Sequence, residues 1–294
     1  MTPLRSLLFV PADSERKLAR AGGADADAVI LDLEDSVPPD RKTAARGLAR
    51  EYLQNHSGQP VWVRVNDLVS GELLRDLAAL TAVRPEGIVL PKIRGPEDVA
   101  TVAHYLEALE FTNAVDRPIP ILALVTETPI AVLRMGDLAS AALPRLMGIG
   151  WGAEDLSAAL GAGNPRLPSG AWRYTYEHAR SQCLLAAHAL GIEAIDSVFV
   201  DYRDAAGLAD ACAASRADGF TGRFAIHPDQ VPIINQAFTA SDAEFELAQR
   251  IIAAFSSGAG VVSLDGKMFD IPHLKAARRL VSSRAGPGTR PSGR

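Results

Sequence analysis

One repeated alternation constrains this chain more than any other feature. Short runs rich in Val, Ile and Leu, SLLFVP (6–11), DAVILDL (27–33), PVWVRVN (60–66), GIVLPK (87–92), IPILALVT (119–126), RLMGIG (145–150), AIDSV (194–198) and GRFAIHP (222–228), are separated by Ala- and Leu-rich stretches. Strands that are apolar on both faces need cover on both faces, and helices between successive strands supply it in a parallel sheet. Helices are predicted over 40–54, 71–80, 96–110, 128–139, 171–190 and 205–217. Eight strand–helix units in succession predict a (β/α)8 TIM barrel of α/β class. An open doubly wound sheet fits less well, because no GxGxxG follows a strand.

Beyond the eighth unit, helices are expected near 229–237 and 241–257, an extended GVVSLDGKMFD at 260–270, and a helix at 273–283. The expected organisation is a barrel over 1–228, a C-terminal helical extension over 229–283 that reaches a neighbouring subunit, and a disordered Gly/Pro/Arg tail over 284–294. The helix at 273–283 has apolar positions, Leu274, Ala277, Leu280 and Val281, and a second subunit is the simplest cover for them.

Composition narrows the function classes. Net charge is −5 and the isoelectric point about 5.7, with no long basic run, so nucleic acid is not an expected partner. No apolar run reaches the roughly 18 residues of a membrane span. The LRSLLFVPA segment has too short an apolar core, followed at once by charge, to read as a signal peptide. The two cysteines, Cys183 and Cys212, form no CxxC and no disulfide framework, which fits a reducing cytoplasm.

The polar residues then fall where a barrel does its chemistry, at the C-terminal strand ends. In DAVILDLEDSVPPDRK, a strand-like run ends in Asp32, Glu34 and Asp35. Uncompensated buried carboxylates are costly, so these acids must meet water, cations or a metal. Arg64 and Asn66 end the third strand and Lys92 the fourth. Glu127 ends the fifth, Glu154 and Asp155 follow the sixth, and His227 follows the eighth. Carboxylates converging on one mouth without a His or Cys cluster favour Mg2+, or Mn2+, over Zn2+. Glu127 and Asp155 are the best direct ligands. Asp155 reads equally as a helix N-terminal charge, and Arg64 either as an ion pair with Asp32 or Glu34 or as a fork for a substrate carboxylate. Arg16, Lys17 and Arg20 read as solvated helix positions or as a cationic rim for a phosphorylated substrate tail.

Taken together and in order, RSLLFVPADSERK, AVILDLEDSVPPDRKTAAR, VRVN, GIVLPK, TETP, GAEDL, DGFTGRFAIHPDQV and DGKMFDIP resemble the citrate lyase β-subunit family. That family lies within the HpcH/HpaI aldolase superfamily and includes malyl-CoA and citramalyl-CoA lyases. The resemblance spans about residues 5–280. It implies a Mg2+-dependent barrel lyase acting on acyl thioesters, with Glu127 and Asp155 as metal ligands and Arg64 at the carboxylate and carbonyl of a 2-oxo acid. Glu34 and Asp35 would hold metal-bound water and the ligand geometry. Phe9, Arg16 and Lys17 would lie near the CoA moiety, and Asp270 of GKMFD would be an acid/base reaching into a neighbouring subunit's site in a trimer-like ring. Two departures bear on the acyl group: Ala12 stands where the family has glycine after the first strand, and bulky Trp151 precedes the metal loop.

Three functions follow. The first is a lyase cleaving a citramalyl-, malyl- or citryl-like CoA thioester to a 2-oxo acid and an acyl-CoA. The second is a subunit of a citrate lyase complex acting on a carrier-protein thioester. The third is an aldolase for free pyruvate-type acids, against which Asp270 and the basic rim argue. A non-catalytic barrel leaves Arg64, Glu127 and Asp155 without a reason.

Overall fold

The computed structural model describes residues 4–284. Eight parallel strands, β1 (Ser6–Pro11), β2 (Ala28–Asp32), β3 (Val61–Arg64), β4 (Gly87–Leu90), β5 (Ile121–Leu124), β6 (Leu146–Gly150), β7 (Glu193–Asp196) and β8 (Gly222–Ala225), pair in sequence order, and β8 closes on β1. The expected TIM barrel is therefore present, with each strand inside its expected span except β7, which starts one residue early at Glu193. Helices lie between the strands because the strand residues are buried on both faces.

Side chains from Leu7, Ile30, Trp62, Val89, Leu122, Leu124, Ile195 and Phe224 fill the barrel interior. Two glycines make room for the aromatic members. A Cβ on Gly87 would lie 2.2 Å from the Trp62 ring, and one on Gly150 would lie 2.5 Å from Phe224. Register sets the site above this plug: Pro11 is level with Asp32, Asp32 with Arg64, and Arg64 with Val89. An acid and a base thus finish neighbouring strands at the same height.

The described residues form two compact units, 4–236 and 237–284, so the helix Val231–Phe238 belongs mostly with the barrel unit. Asn235 on this helix accepts from Ser6 Oγ at 2.7 Å and donates to the Asp25 carbonyl at 2.8 Å. In the second unit, helix Asp242–Ala254 and helix Ile271–Arg284 enclose Ala248, Ile251, Phe255, Leu274 and Ala277. Leu280 and Val281 pack against the same cluster. The expectation that a second subunit covers this stripe is corrected: it is buried within its own chain. The extended 260–270 stretch is a hairpin, β9 (Val261–Leu264) and β10 (Lys267–Asp270), turned by Asp265 and Gly266 at φ +51° and +74°. Positive φ at both turn residues matches the right-handed twist of the strands, and the Asp-Gly pair is suited to it.

The expected tail, 284–294, lies outside the described residues except for Arg284, which ends the last helix. Among the described residues, no helix is long and apolar enough to cross a membrane.

Candidate active site

The C-terminal ends of β2 to β6 bring five carboxylates and two cations together. Asp32, on the last residue of β2, is buried and accepts both edges of the Arg64 fork, Nε and Nη2, each at 2.7 Å. It also accepts the backbone N–H of Glu34 at 2.9 Å, which shapes the turn after the strand. Burial pushes the Asp32 carboxyl up, yet the Arg64 pair outweighs it and holds it below the usual carboxylate range. The third guanidinium nitrogen, Nη1, lies 3.3 Å from Glu34. The ion-pair reading of Arg64 is thus realised on its forked edge, and the Nη1 edge is turned to Glu34.

Below the turn, Lys42 Nζ from the following helix donates to the Leu33 and Glu34 carbonyls and to Asn66 Oδ1, all at 2.7 Å. Asn66 in turn donates to buried Asp76 at 2.7 Å. Asn66 therefore supports the floor of the acidic turn.

Glu127 follows β5 and is buried, with its Oε2 accepting the Lys92 backbone N–H at 2.7 Å. Thr128 caps the helix Pro129–Leu133, and Pro129 occupies its first turn, so the chain turns sharply and leaves Glu127 at the strand end. Burial, and then the nearby Asp155 carboxylate, push the Glu127 carboxyl up to about 8. Asp155 sits in the first turn of helix Glu154–Leu160 after β6 and is partly exposed. Gly152 lies between them: a Cβ there would be 3.5 Å from Glu127 Oε1.

A buried Glu127 carboxyl raised by burial and by the neighbouring Asp155 carboxylate forms a fit for a cation. Among the described residues no group of three or more His, Cys, Asp or Glu is arranged to hold a metal. A Glu–Asp pair suits Mg2+, which keeps several waters and takes one or two protein carboxylates.

Lys92 carried no assigned role in the sequence. Its ammonium contacts Glu34, lies 2.7 Å from Asp35 and lies 3.5 Å from Asp155. For Asp35, burial raises the carboxyl but the Lys92 hydrogen bond prevails and lowers it. Glu34, buried more deeply, is raised despite Arg64 and Lys92. The available signal was a lysine just past a fully apolar strand, after Pro91.

The remaining expected residues lie as follows. Phe9 on β1 packs on the barrel core, 5.2 Å from Phe224, with the Arg64 guanidinium 4.8 Å above its ring. Arg16 and Lys17 are exposed on helix Glu15–Ala21, where no ion pair among the described residues engages them. Asp270 ends β10 in the second unit, exposed, with its Oδ1 2.5 Å from His273 Nδ1. Ala12 is fully buried and donates its N–H to the Asp32 carbonyl at 3.0 Å.

Trp151 is 1% exposed, stacks edge-on against Trp172 at 5.0 Å and donates to Asp196. Ala12 and Trp151, the two departures in the sequence, are thus both buried. Asp196 holds the indole within a buried network of Arg180, Arg223 and Ser215.

With this geometry described, comparison with known proteins gives a consistent result. The model of the HpcH/HpaI aldolase/citrate lyase family matches residues 5–228. A (3S)-malyl-CoA thioesterase from Cereibacter sphaeroides is 35% identical over 286 residues, covering 95% of this chain and 94% of the relative. The mitochondrial citramalyl-CoA lyase of Homo sapiens is 31% identical, covering 95% and 85% respectively. Among solved structures, CitE from Mycobacterium tuberculosis in complex with magnesium, acetoacetate and coenzyme A superimposes with a TM-score of 0.80. It is 34% identical, over 96% of this chain and 98% of that one.

Proposed function

The chain belongs to the HpcH/HpaI aldolase/citrate lyase family, and from that premise we propose that it is a Mg2+-dependent carbon–carbon lyase. Its substrate would be a 3-hydroxyacyl-CoA thioester of citramalyl, malyl or citryl type, and its products a 2-oxo acid and an acyl-CoA. The observation that carries the reading is charge balance at the mouth. Among the described residues, Asp32, Glu34, Asp35, Glu127 and Asp155 share Arg64 and Lys92 as cations; Lys92 is divided among Glu34, Asp35 and Asp155, and buried Glu127 has no ion pair of its own. Relatives that bind magnesium, coenzyme A and small oxo acids support the same assignment.

The reaction requires the 3-hydroxyl to lose a proton, the scissile carbon to leave as a thioester enolate, and the new 2-oxo acid to be stabilised. Glu127 and Asp155 would hold the Mg2+. When bound, the ion would supply Lewis-acid polarisation of the substrate's hydroxyl and carboxylate oxygens. Arg64, fixed by Asp32, would direct Nη1 at the oxygen that becomes the carbonyl, a preorganised charge of the kind that stabilises a transition state. Glu34 and Asp35 would orient water and substrate beside it. Arg16 and Lys17 would attract the phosphates of the CoA tail, near Phe9. Asp270 would protonate the enolate carbon, general-acid help worth about 10²–10⁴-fold.

The same reading includes a cytoplasmic homo-oligomer, a trimer, in which Asp270 serves a neighbouring subunit. Exposed Met268 and Val261 on the Asp270 hairpin support the oligomer, and free, buried Cys183 and Cys212 support a reducing compartment.

Thioester hydrolysis is a second reading, favoured by the 35% identity to a malyl-CoA thioesterase. One assay separates the two. Protein stripped with EDTA is supplied with Mg2+ and a panel of CoA thioesters, and 2-oxo acid and free thiol are followed together. The lyase releases 2-oxo acid without free CoA, and only with Mg2+. Release of free CoA alone supports hydrolysis, and full turnover in the stripped protein refutes the metal-dependent reading.

A further inference from the structure

Lys92 touches both halves of the acidic mouth. Its ammonium contacts Glu34, lies 2.7 Å from Asp35 on the β2 side, and lies 3.5 Å from Asp155 on the β6 side. Its backbone N–H donates to Glu127 Oε2 at 2.7 Å. Its φ is +52°, in the left-handed region that a residue with a Cβ adopts at a cost. The turn directs the N–H at Glu127 while the side chain crosses to Glu34. A strained backbone at a site residue is retained when surrounding contacts over-determine it, and here four carboxylates do so.

We infer that Lys92 is a positioning residue and the built-in counter-cation of the mouth: it gathers Glu34, Asp35 and Asp155, and so sets the charge left to a divalent ion at Glu127 and Asp155. The inference rests on reading that pair as the Mg2+ ligands. With all groups ionised, five acids less Arg64 and Lys92 leave an excess of three negative charges, which a divalent ion reduces to one. An anionic substrate can approach such a site. Without the Lys92 ammonium the excess is four. The ion is then held more tightly, while Glu34 and Asp35 lose the group that places them.

These consequences have opposite signs, which a merely structural role would not produce. Loss of structure weakens metal binding and turnover together. Lys92→Met keeps the chain length and the backbone N–H but removes the charge. Calorimetric titration with Mg2+ alone should show binding tighter by about tenfold, the order expected for one charge a few ångströms from a divalent ion in a near-aqueous dielectric. In Mg2+-saturated enzyme, kcat should fall at least about tenfold, within the range of lost positioning. Lys92→Arg restores the charge and should return Mg2+ affinity to near that of the wild type. Lys92→Gln serves if the Met variant does not fold. The inference is overturned if the uncharged variants bind Mg2+ no more tightly than wild type, or keep its kcat. Because the titration needs no substrate, a wild type that binds Mg2+ but cleaves no thioester refutes the lyase reading and leaves Lys92 to be decided by affinity. A wild type that binds no Mg2+ refutes both.

Discussion

Glu127 is where the electrostatics of this molecule become measurable in a single residue. Its folded carboxyl is pushed up to about 8 by burial and by Asp155, against about 4.3 when unfolded. The folded chain therefore holds this proton more tightly than the unfolded one. The stability it contributes is complete below the unfolded value and is lost as pH rises through 8. Without metal, Glu127→Gln should melt higher than wild type at alkaline pH and nearly alike at acid pH, and it should fail to bind Mg2+. Calorimetry of both proteins across the pH range checks the sign. Mg2+ must displace the same proton, so wild-type affinity should fall as pH drops below about 8, by up to tenfold per unit. Arg64→Lys keeps the charge but gives up the fork to Asp32. We expect about 2 kcal/mol of lost stability in urea titration, the order of a charged hydrogen bond, and a fall in kcat/KM of about a hundredfold per folded molecule. An unchanged kcat/KM would reduce Arg64 to an ion pair with Asp32.

At the scale of elements, β6 couples the barrel plug to the loop that leads to Asp155. Gly150 ends the strand, and a Cβ there would lie 2.5 Å from Phe224. The next residues run through Trp151, anchored to Asp196, into Gly152 and Asp155. Gly150→Ala should therefore cost about 1–3 kcal/mol by overpacking and also weaken Mg2+ binding by moving Asp155. Adding Phe224→Leu should recover part of both losses, since the two positions touch. Denaturant curves and metal titrations of the single and double variants test the coupling. The strands were legible because two-face apolar runs have one inexpensive solution, a parallel sheet under helices. The convergence of Glu34, Arg64, Glu127 and Asp155 followed from the barrel rule alone. Lys92 was not legible as an organiser, because its left-handed φ is a property of the backbone that a lysine does not advertise. The side that Trp151 takes was not legible either: a large side chain beside a loop gives no sign of which face it turns to, and Asp196 decides that only in three dimensions. The hairpin at Asp265–Gly266 did carry its usual Asp-Gly signal, but the surrounding run was read as one extended stretch.

At the scale of the whole molecule, the second unit has a buried cluster of its own yet carries an exposed acid. Its helices bury Leu274 and Ala277 internally, so the apolar stripe of the last helix no longer requires a partner. What remains outward-facing is the hairpin, where Met268 and Val261 are exposed and Asp270 sits beside His273. His273 Nδ1 lies 2.5 Å from Asp270 Oδ1. That hydrogen bond holds the Asp270 carboxyl below its ordinary value, so Asp270 is ionised and ready to accept a proton in the condensing direction. If it does so for a neighbouring subunit, inactive Asp270→Ala and inactive Glu127→Ala proteins should complement each other. Mixed oligomers would contain some sites with an intact Glu127 from one chain and an intact Asp270 from another. In a ring with one contact of this kind per site, equal mixing should restore about a quarter of wild-type turnover, the product of two independent halves. Subunit exchange can be verified by native mass spectrometry before the assay. Mixed oligomers that remain inactive would confine Asp270 to its own barrel, or to no barrel.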